Sequence, residues 1–530
     1  MKKLPLGIQT FCKIVEDGHV YVDKTRFIHE LLCNESYYFL SRPRRFGKSL
    51  LLDTIAEVFN GSRELFEGLY IHESGYGFEK HPVIRLDMSN IGNETPEILK
   101  ESLIEVLSIR AKEEGFDIGS KLPGAVFMNL IKMLHNKYDK RVVVLIDEYD
   151  KPILDRLKNI DVADRNRDVL REFYGILKSS DPYLRFIFIT GVSKFTKTSV
   201  FSELNNLRDI TMSKKYANIC GVLVDELDRF FGAHIESLVK LPEFRSYEDL
   251  RNNILKWYDG YSWDSESKLI NPFSLLSFII EERLYGFWFA SGSPKFLMDL
   301  IKEKPASYIG LKNLEIGEWA LDSFDIQRMS IVPLLFQTGY LTIKGIQMKH
   351  GQYSYLLEMP NLEVKQAFNL NIMAELSGND GVFAETSYLR MRDCLISGNL
   401  DEMLAILKSL FAGIPYQLHI DREAYYQSIF YAVMTVLGFD INAEVSTAKG
   451  RVDAVLEMDD RVYIMEFKYK DCPPDTPEEE KRKLFDKALK EGAKQIDDRG
   501  YHKKYESSDK KIIKAAFAFL GRDEVEMMLL

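Results

Sequence analysis

Three short runs of side chains have the types and spacing for chemistry on phosphates. The first is Arg44-Arg45-Phe46-Gly47-Lys48-Ser49-Leu50, reached from the apolar run Tyr38-Phe39-Leu40 through Ser41-Arg42-Pro43. Gly47, Lys48 and Ser49 match the phosphate-loop pattern G-x-x-x-x-G-K-[ST], and Arg42 stands where the first glycine usually is. Backbone amides at the start of a helix hold phosphate oxygens. Lys48 would reach the β- and γ-phosphates of ATP, and the Ser49 hydroxyl would bind Mg²⁺. Losing a glycine at 42 narrows the allowed dihedrals of the loop. Arg42, Arg44 and Arg45 add positive charge that either contacts phosphate or pairs with acidic neighbours.

The second run is Val142-Val143-Val144-Leu145-Ile146-Asp147-Glu148. It reads as a buried strand that delivers two carboxylates at its C-terminal end, the end at which open α/β sheets bind ligands. Asp147 would hold Mg²⁺, and Glu148 would orient and deprotonate the attacking water. The bland alternative is a buried strand ending in a helix-capping aspartate. It loses weight because loop and acidic pair occur in this order, about 100 residues apart. A further strand, Phe186–Thr190, ends in a polar residue.

The third run is Asp453, then Glu466 and Lys468 beyond a short turn. On a strand, Glu466 and Lys468 point the same way, and Asp453 on the adjoining strand reaches them. Two carboxylates and a lysine in this arrangement bind one or two divalent metals, Mg²⁺ or Mn²⁺, and activate a water against a phosphodiester. Lys468 would place that water or stabilise the developing charge. The competing reading is a surface salt-bridge ladder. Against it, Val462–Met465 is apolar, which makes Glu466 an awkward residue to bury without a task.

The elements that would position these residues are readable. Tyr37–Leu40, Val83–Asp87, Val142–Ile146 and Phe186–Thr190 are short and nearly all apolar, as buried strands of a parallel sheet are. Helical spacing between them implies right-handed crossovers. Helices are expected at Val224–Phe231, Tyr247–Tyr258, Pro272–Glu282 and Pro294–Glu303, and alternating runs at Tyr340–Ile343 and Tyr353–Glu358. The C-terminal part reads as a helix (Arg422–Leu437), strands at Val452–Leu456 and Val462–Phe467, a charged helix (Thr476–Ile496) and a last strand (Ile512–Leu520). The aromatics Trp257, Tyr258, Tyr261 and Trp263 could stack bases, but a core role fits them better.

The chain has 530 residues, too many for one core, with 46% apolar and 28% charged residues, as in a soluble globular protein. A net charge of −10 argues against a uniformly basic nucleic-acid coat but not against a local basic groove. Cys12, Cys33, Cys220, Cys394 and Cys472 are scattered and odd in number, so neither a disulfide framework nor a zinc site is expected. No signal peptide and no membrane span are legible. Histidine pairs for zinc catalysis and a G-x-S-x-G elbow are missing. A cytoplasmic location and no membrane partner follow as expectations, and nothing sets an oligomeric state.

The runs Leu4–Ile8, Tyr21–Thr25 and Ser41–Ser49, continued by Leu204–Leu207, Trp257–Tyr261 and Asn271–Ser274, resemble the bacterial AAA-ATPase-like family over residues 4 to 290. The resemblance implies that arginine at 42 is usual and that an N-terminal segment lies beside the nucleotide. Tyr21 and Asp23–Thr25 then contact base or ribose, or simply pack. It also implies a polar strand-end residue near the γ-phosphate, Thr190 with Ser193 second, and Arg208 as a suggestion for an arginine finger. Asp453, Glu466 and Lys468 resemble the PD-(D/E)XK nuclease superfamily, with Val452 in place of the proline. That resemblance implies a helical metal ligand, Glu423, and a helical Gln495, followed by Tyr501 and Tyr505.

The expected fold is α/β: a P-loop NTPase parallel sheet with a helical lid and a winged-helix-like region, plus a C-terminal α/β restriction-endonuclease-like domain. The expected divisions are 1–212 (ATPase core), 213–310 (helical lid), 311–415 (winged-helix-like region and helical linker) and 416–530 (nuclease-like). The expected activity is ATP hydrolysis coupled to metal-dependent action on nucleic acid. The alternative is an ATP-dependent switch whose last domain binds without cutting.

Overall fold

The computed structural model describes residues 1–34, 37–194, 200, 201, 204, 206–290, 314–318, 321, 331–377, 380–412, 433, 442–447, 452–458, 460–473, 475–506, 508–521 and 524–530. It divides into two compact units, Met1–Ser291 with Asn313–Asn361, and Gly292–Lys312 with Leu362–Leu530.

In the first unit, short helices α1 (Phe11–Glu16) and α2 (Thr25–Cys33) precede a parallel sheet. Its strands are β1 (Tyr37–Ser41), β2 (Val83–Asp87), β3 (Val142–Asp147), β4 (Leu184–Gly191) and β5 (Leu207–Asp209), in the order β2-β3-β4-β1-β5. Every residue of β1 and β3 is buried, while edge strand β2 buries Ile84 and Leu86 and exposes Arg85 and Asp87. The all-apolar runs are thus central strands covered on both faces. Each buried Val, Ile or Leu contributes about 1.5–3 kcal/mol.

The crossovers are helices α3 (Lys48–Asn60), α4 (Pro96–Glu113), α5 (Pro123–Tyr138) and α6 (Ile160–Ser179). Their starts follow from the sequence. Thr95 accepts a hydrogen bond from the Ile98 amide with Pro96 in the first turn, and Asn159 accepts one from the Val162 amide. Leu99, Leu103 and Leu107, one helical turn apart, are fully buried on α4.

Beyond the sheet, strands β6 (Val222–Leu223) and β7 (Leu269–Ile270) pair beside helices α7 (Val224–Leu238), α8 (Tyr247–Tyr258) and α9 (Pro272–Glu281). These helices close on a cluster that includes Phe231, Ile235, Leu250, Tyr258 and Phe278. The unit also contains β8 (Leu314–Gly317), α10 (Ile331–Thr338), β9 (Thr342–Lys349) and β10 (Gln352–Glu358), the strands forming an antiparallel sheet β8-β10-β9. The first strand of the hairpin starts at Thr342 and not at Tyr340, because the Tyr340 amide still closes the turn after α10 on the Leu335 carbonyl.

The second unit contains helices α11 (Leu362–Ser377), α12 (Gly381–Ser397) and α13 (Leu400–Ala412). Its five-stranded sheet is built from β11 (Asn442–Thr447), β12 (Val452–Glu457), β13 (Arg461–Lys470), β14 (Lys511–Leu520) and β15 (Glu524–Leu529), in sequence order. β13 and β14 are parallel and joined by α14 (Glu478–Arg499); the other pairings are antiparallel. The expected last strand is therefore followed by another. The helices expected at Pro294–Glu303 and Arg422–Leu437, with Glu423, lie outside the described residues except for Val433. Among the described residues, no helix is long and apolar enough to cross a membrane.

Candidate active sites

The parallel sheet brings the first two motifs to one edge. β1 and β3 flank β4, with Ser41 opposite Gly191 and Ile146 opposite Ile189, so the loop after β1 and the carboxylates ending β3 emerge together. Gly47 has φ 90°, and a Cβ there would meet nothing within 4 Å, so the residue faces open space in a conformation that favours glycine. No side chain caps α3 at its N-terminus. Its first amides have no partner one turn back and form an anion cradle.

The absence of a first glycine has a structural explanation. The Arg42 guanidinium is fully buried and donates to the carbonyls of Ser41 (2.8 Å), Thr211 (3.0 Å), Tyr216 (3.3 Å) and Ala217 (3.4 Å). It also lies 4.0 Å from the centre of the Trp263 ring. Arg42 thus turns away from phosphate and anchors the loop from behind. Arg44 and Arg45 remain exposed on the cavity rim, Arg45 at φ 63° over Phe273. Phe46 is buried against Tyr261 and Trp263 at ring separations of 4.9 and 5.5 Å. Tyr258, Tyr261 and Trp263 therefore serve the core.

Lys48 is buried and donates to the carbonyls of Arg42 (3.0 Å) and Pro43 (2.9 Å). Burial pushes its pKa down, while Asp147, Glu148 and Asp150 oppose that shift, so the ammonium and the acidic cluster sense one another. Asp147 accepts a short hydrogen bond from the Thr190 hydroxyl and one of 3.1 Å from the Glu148 amide. Thr190 is fully buried, and its hydroxyl is spent on Asp147. Glu148 sits at φ 51°, a left-handed conformation that costs of order 1–3 kcal/mol and belongs to sites over-determined by their surroundings. Here the Tyr149 amide holds the turn on the Thr190 carbonyl at 3.0 Å. Burial foremost, then the charges of Asp147 and Asp150, raise the Glu148 carboxyl above its ordinary range against the pull of Lys48.

Sequence reasoning missed Asp150. It is fully buried and accepts from the Val192 amide (3.1 Å), the Ser193 amide (2.6 Å) and the Ser193 hydroxyl (2.6 Å). Ser193 is thereby committed to Asp150. The only hint was a third acid two residues after the pair.

A cavity of 510 Å³ opens beside the loop, within the ~300–1,000 Å³ typical of small-molecule sites. Gly47, Lys48, Ser49, Leu50 and Glu148 are among its lining residues. Leu6, Ile8, Val20, Val222, Phe231 and Leu276 add apolar wall, of the kind that takes a nucleobase. The N-terminal segment thus lies beside the cradle. Tyr21 lines the cavity, whereas Asp23 accepts from the Thr25 and Tyr70 amides, and Lys24 pairs with Glu226 at 2.7 Å. Arg208, exposed on β5, is not a lining residue.

In the second unit, register places Asp453 directly across from Glu466, positions that share a face of the sheet. Glu466 is 1% exposed. Lys468 donates to Glu466 Oε1 and to Gln495 Oε1, both at 2.6 Å. A surface ladder would not bury its carboxylate, so the arrangement departs from that reading. Gln495 arrives from α14 because Gly492 lets the helix approach: a Cβ there would lie 3.1 Å from Ala516 Cβ and 3.7 Å from Glu466 Cγ. Tyr505 is buried with Val462 and Ile496. Among the described residues, no three His, Cys, Asp or Glu side chains gather as a metal cluster. The donor chemistry of the Asp453–Glu466 pair nevertheless suits a hard divalent cation.

Parallel strands that deliver a phosphate loop and the Glu148 carboxylate to one cavity, with Asp147 at the end of the adjacent strand, define a P-loop α/β fold. The chain belongs to the family described as predicted AAA-ATPase, whose profile matches residues 5–201. Residues 421–527 match the PD-(D/E)XK nuclease superfamily. An uncharacterized protein in the vnfD 5′ region of Azotobacter chroococcum mcd 1 is 37% identical over 511 residues, 95% of this chain and 94% of its own. The ORC2 protein of Aeropyrum pernix, solved as ADPNP-ADP complexes, aligns over 66% of this chain and 93% of its own at 12% identity and TM-score 0.26. Drosophila ORC bound to GC-rich DNA and Cdc6 aligns over 78% and 61% at 10% identity and TM-score 0.22.

Proposed function

We propose that the chain binds ATP with Mg²⁺ in the cavity of the first unit and hydrolyses it. We further propose that its nuclease-like domain acts on nucleic acid with Mg²⁺ or Mn²⁺. The observation that carries the first reading is the convergence of the Gly47–Leu50 cradle, Lys48 and Glu148 on one cavity. The amides of residues 47–50 bind phosphate oxygens. Lys48 exchanges its loop carbonyls for the β- and γ-phosphates. Ser49 and Asp147 would hold Mg²⁺, which neutralises charge as the terminal phosphoryl group leaves. Glu148 takes the proton of the attacking water, and Thr190 fixes the orientation of Asp147.

In the nuclease-like domain, Asp453 and Glu466 would ligate the metal, with Glu423 as a further candidate, and Lys468 would steer the water. A reading in which this domain binds without cutting draws support from the Lys468–Glu466 contact, which already neutralises the buried carboxylate. The four-part division at 212, 310 and 415 and a cytoplasmic location belong to the same proposal.

The test is ATP turnover of Glu148→Gln against the parent, with a Mg²⁺/Mn²⁺ nuclease assay in which Asp453→Ala is the control. A fall of roughly 10²–10⁴ in turnover with nucleotide binding retained is expected. Equal turnover removes Glu148 as the base. Cleavage that survives Asp453→Ala removes the second site.

A further inference from the structure

Helix α14 has two very different sides. Phe485, Ala488, Leu489, Gly492 and Ile496 are buried against the sheet. On the solvent side, Lys487, Lys490 and Lys494 are exposed. Spaced by three and four residues, they share one face and span about 10 Å of helix. No carboxylate pairs with any of them among the described residues, although neighbouring lysines of the same unit are neutralised. Lys468, Lys470, Lys481, Lys483, Lys510 and Lys514 each contact a carboxylate at 2.6–2.8 Å. Like charges three and four residues apart weaken a helix. In a chain of net charge −10, three lysines on one exposed helix face, none within ion-pair distance of a carboxylate among the described residues, form a local basic patch.

The lysines also connect to the Glu466–Lys468 pair. Glu466, Lys468 and Lys470 alternate along β13 and share a face. Around α14, Gln495 contacts Lys468, and Glu491 contacts Lys470 at 2.7 Å. Lys487 lies one turn before Glu491 and, after Lys470, is the next charge that holds the Glu491 carboxyl down. A chain of alternating charge therefore links Glu466 and Lys468, through Lys470 and Glu491, to Lys487 at the near end of the exposed lysines.

We propose that Lys487, Lys490 and Lys494 on α14 seat the phosphate backbone of a nucleic acid that enters the Glu466–Lys468 site. The inference rests on the reading that this domain acts on nucleic acid. It adds the surface, the contact chemistry and the absence of base readout, since all three groups are flexible ammonium ions.

The test uses the full chain, with Lys487→Gln, Lys490→Gln and Lys494→Gln combined. Anisotropy is measured with labelled single-stranded and duplex DNA in EDTA, from about 50 to about 200 mM salt. The variant is expected to bind at least about tenfold more weakly at the low-salt end, with a log–log salt slope shallower by about 2 for single strands and about 3 for duplex. Arginine at the same three positions should restore the parent slope, which a folding defect would not allow. A parent that binds DNA while the glutamine variant matches its slope and affinity overturns the assignment alone. A parent that binds phosphatidylserine vesicles in place of DNA, or neither, overturns it together with the nucleic-acid reading.

Discussion

Replacing Arg42 by glycine would restore the phosphate-loop consensus, and on consensus alone it should improve nucleotide binding. The structure requires the opposite. The substitution removes two short hydrogen bonds to the Ser41 and Thr211 carbonyls, two longer ones to Tyr216 and Ala217, and the stacking on Trp263. Hydrogen bonds from a charged donor contribute about 1.5–3 kcal/mol each, and a desolvated cation–π contact about 2. Against this, burial pushes the Arg42 pKa down to about 10. It stays protonated at neutral pH, and holding that charge costs roughly 3 kcal/mol. With only the two short bonds counted, the balance is a loss of about 2–5 kcal/mol, to which glycine adds about 0.5–1 in chain entropy.

The readout is the first thermal transition and the ATP dissociation constant of Arg42→Gly beside the parent. At about 2–4 °C per kcal/mol, the transition should fall by roughly 5–24 °C, and ATP should bind more weakly because the cradle loses its anchor. Arg42→Lys should fall between the two, since an ammonium cannot fork to several carbonyls. An Arg42→Gly protein that melts with the parent and binds ATP more tightly would refute the reasoning, since the loop would then be limited by dihedral freedom and not by packing.

Other outcomes follow from close contacts and charge. Gly191→Ala sets a Cβ 2.6 Å from the Tyr149 ring and 2.9 Å from Asp150. It should cost about 1–3 kcal/mol and lower kcat more than it raises KM, because it displaces the strand end that holds Asp147. Gly492→Ala should force α14 off the strands and weaken metal-dependent cleavage while ATP turnover stays unchanged, as paired assays would show. The raised Glu148 carboxyl makes turnover fall with decreasing pH through a midpoint above the ordinary glutamate value of 4.5. A pH–rate profile reads this directly. The same shift means that the ionised form strains the fold at pH above that midpoint, and the strain is relieved below it. Glu148→Gln should therefore melt no lower than the parent at neutral pH.

What was legible in the sequence was what is encoded locally. Val142–Ile146 announces a central strand because both of its faces are buried. The Tyr247–Tyr258 helix is legible because Ser246 caps it and Leu250 and Ile254 repeat at helical spacing. The loop and acidic pair were legible because their chemistry needs fixed residue types in fixed order. Arg42 was not, since its partners lie 169 to 175 residues away and the sequence does not show which carbonyls need a donor. α11 was expected only as part of a helical linker, and its bounds escaped because it buries Glu363 and Asn369 among its apolar residues, which blurs the stripe. β11 and β15 are edge strands of mixed polarity, where pairing and not patterning sets the structure.

The loop illustrates how packing replaces glycine. Arg42 is tied to the 211–217 segment, and a Cβ on Gly339 would approach Pro43 to 2.8 Å. The Arg44 carbonyl accepts from the Trp288 indole at 3.1 Å, Arg45 covers Phe273, and Phe46 lies against Gly221. A glycine-rich loop rearranges around a phosphate at small cost because few side chains follow it. This loop moves only if the segment after β5, the start of β6, the first turn of α9 and the end of α10 move with it, and β6 and α9 also line the cavity through Val222 and Phe273. Under the proposed function, the free energy of seating a triphosphate would therefore be shared with the packing of α7 and α9, and helix positions and phosphate contacts would be set together within the first unit.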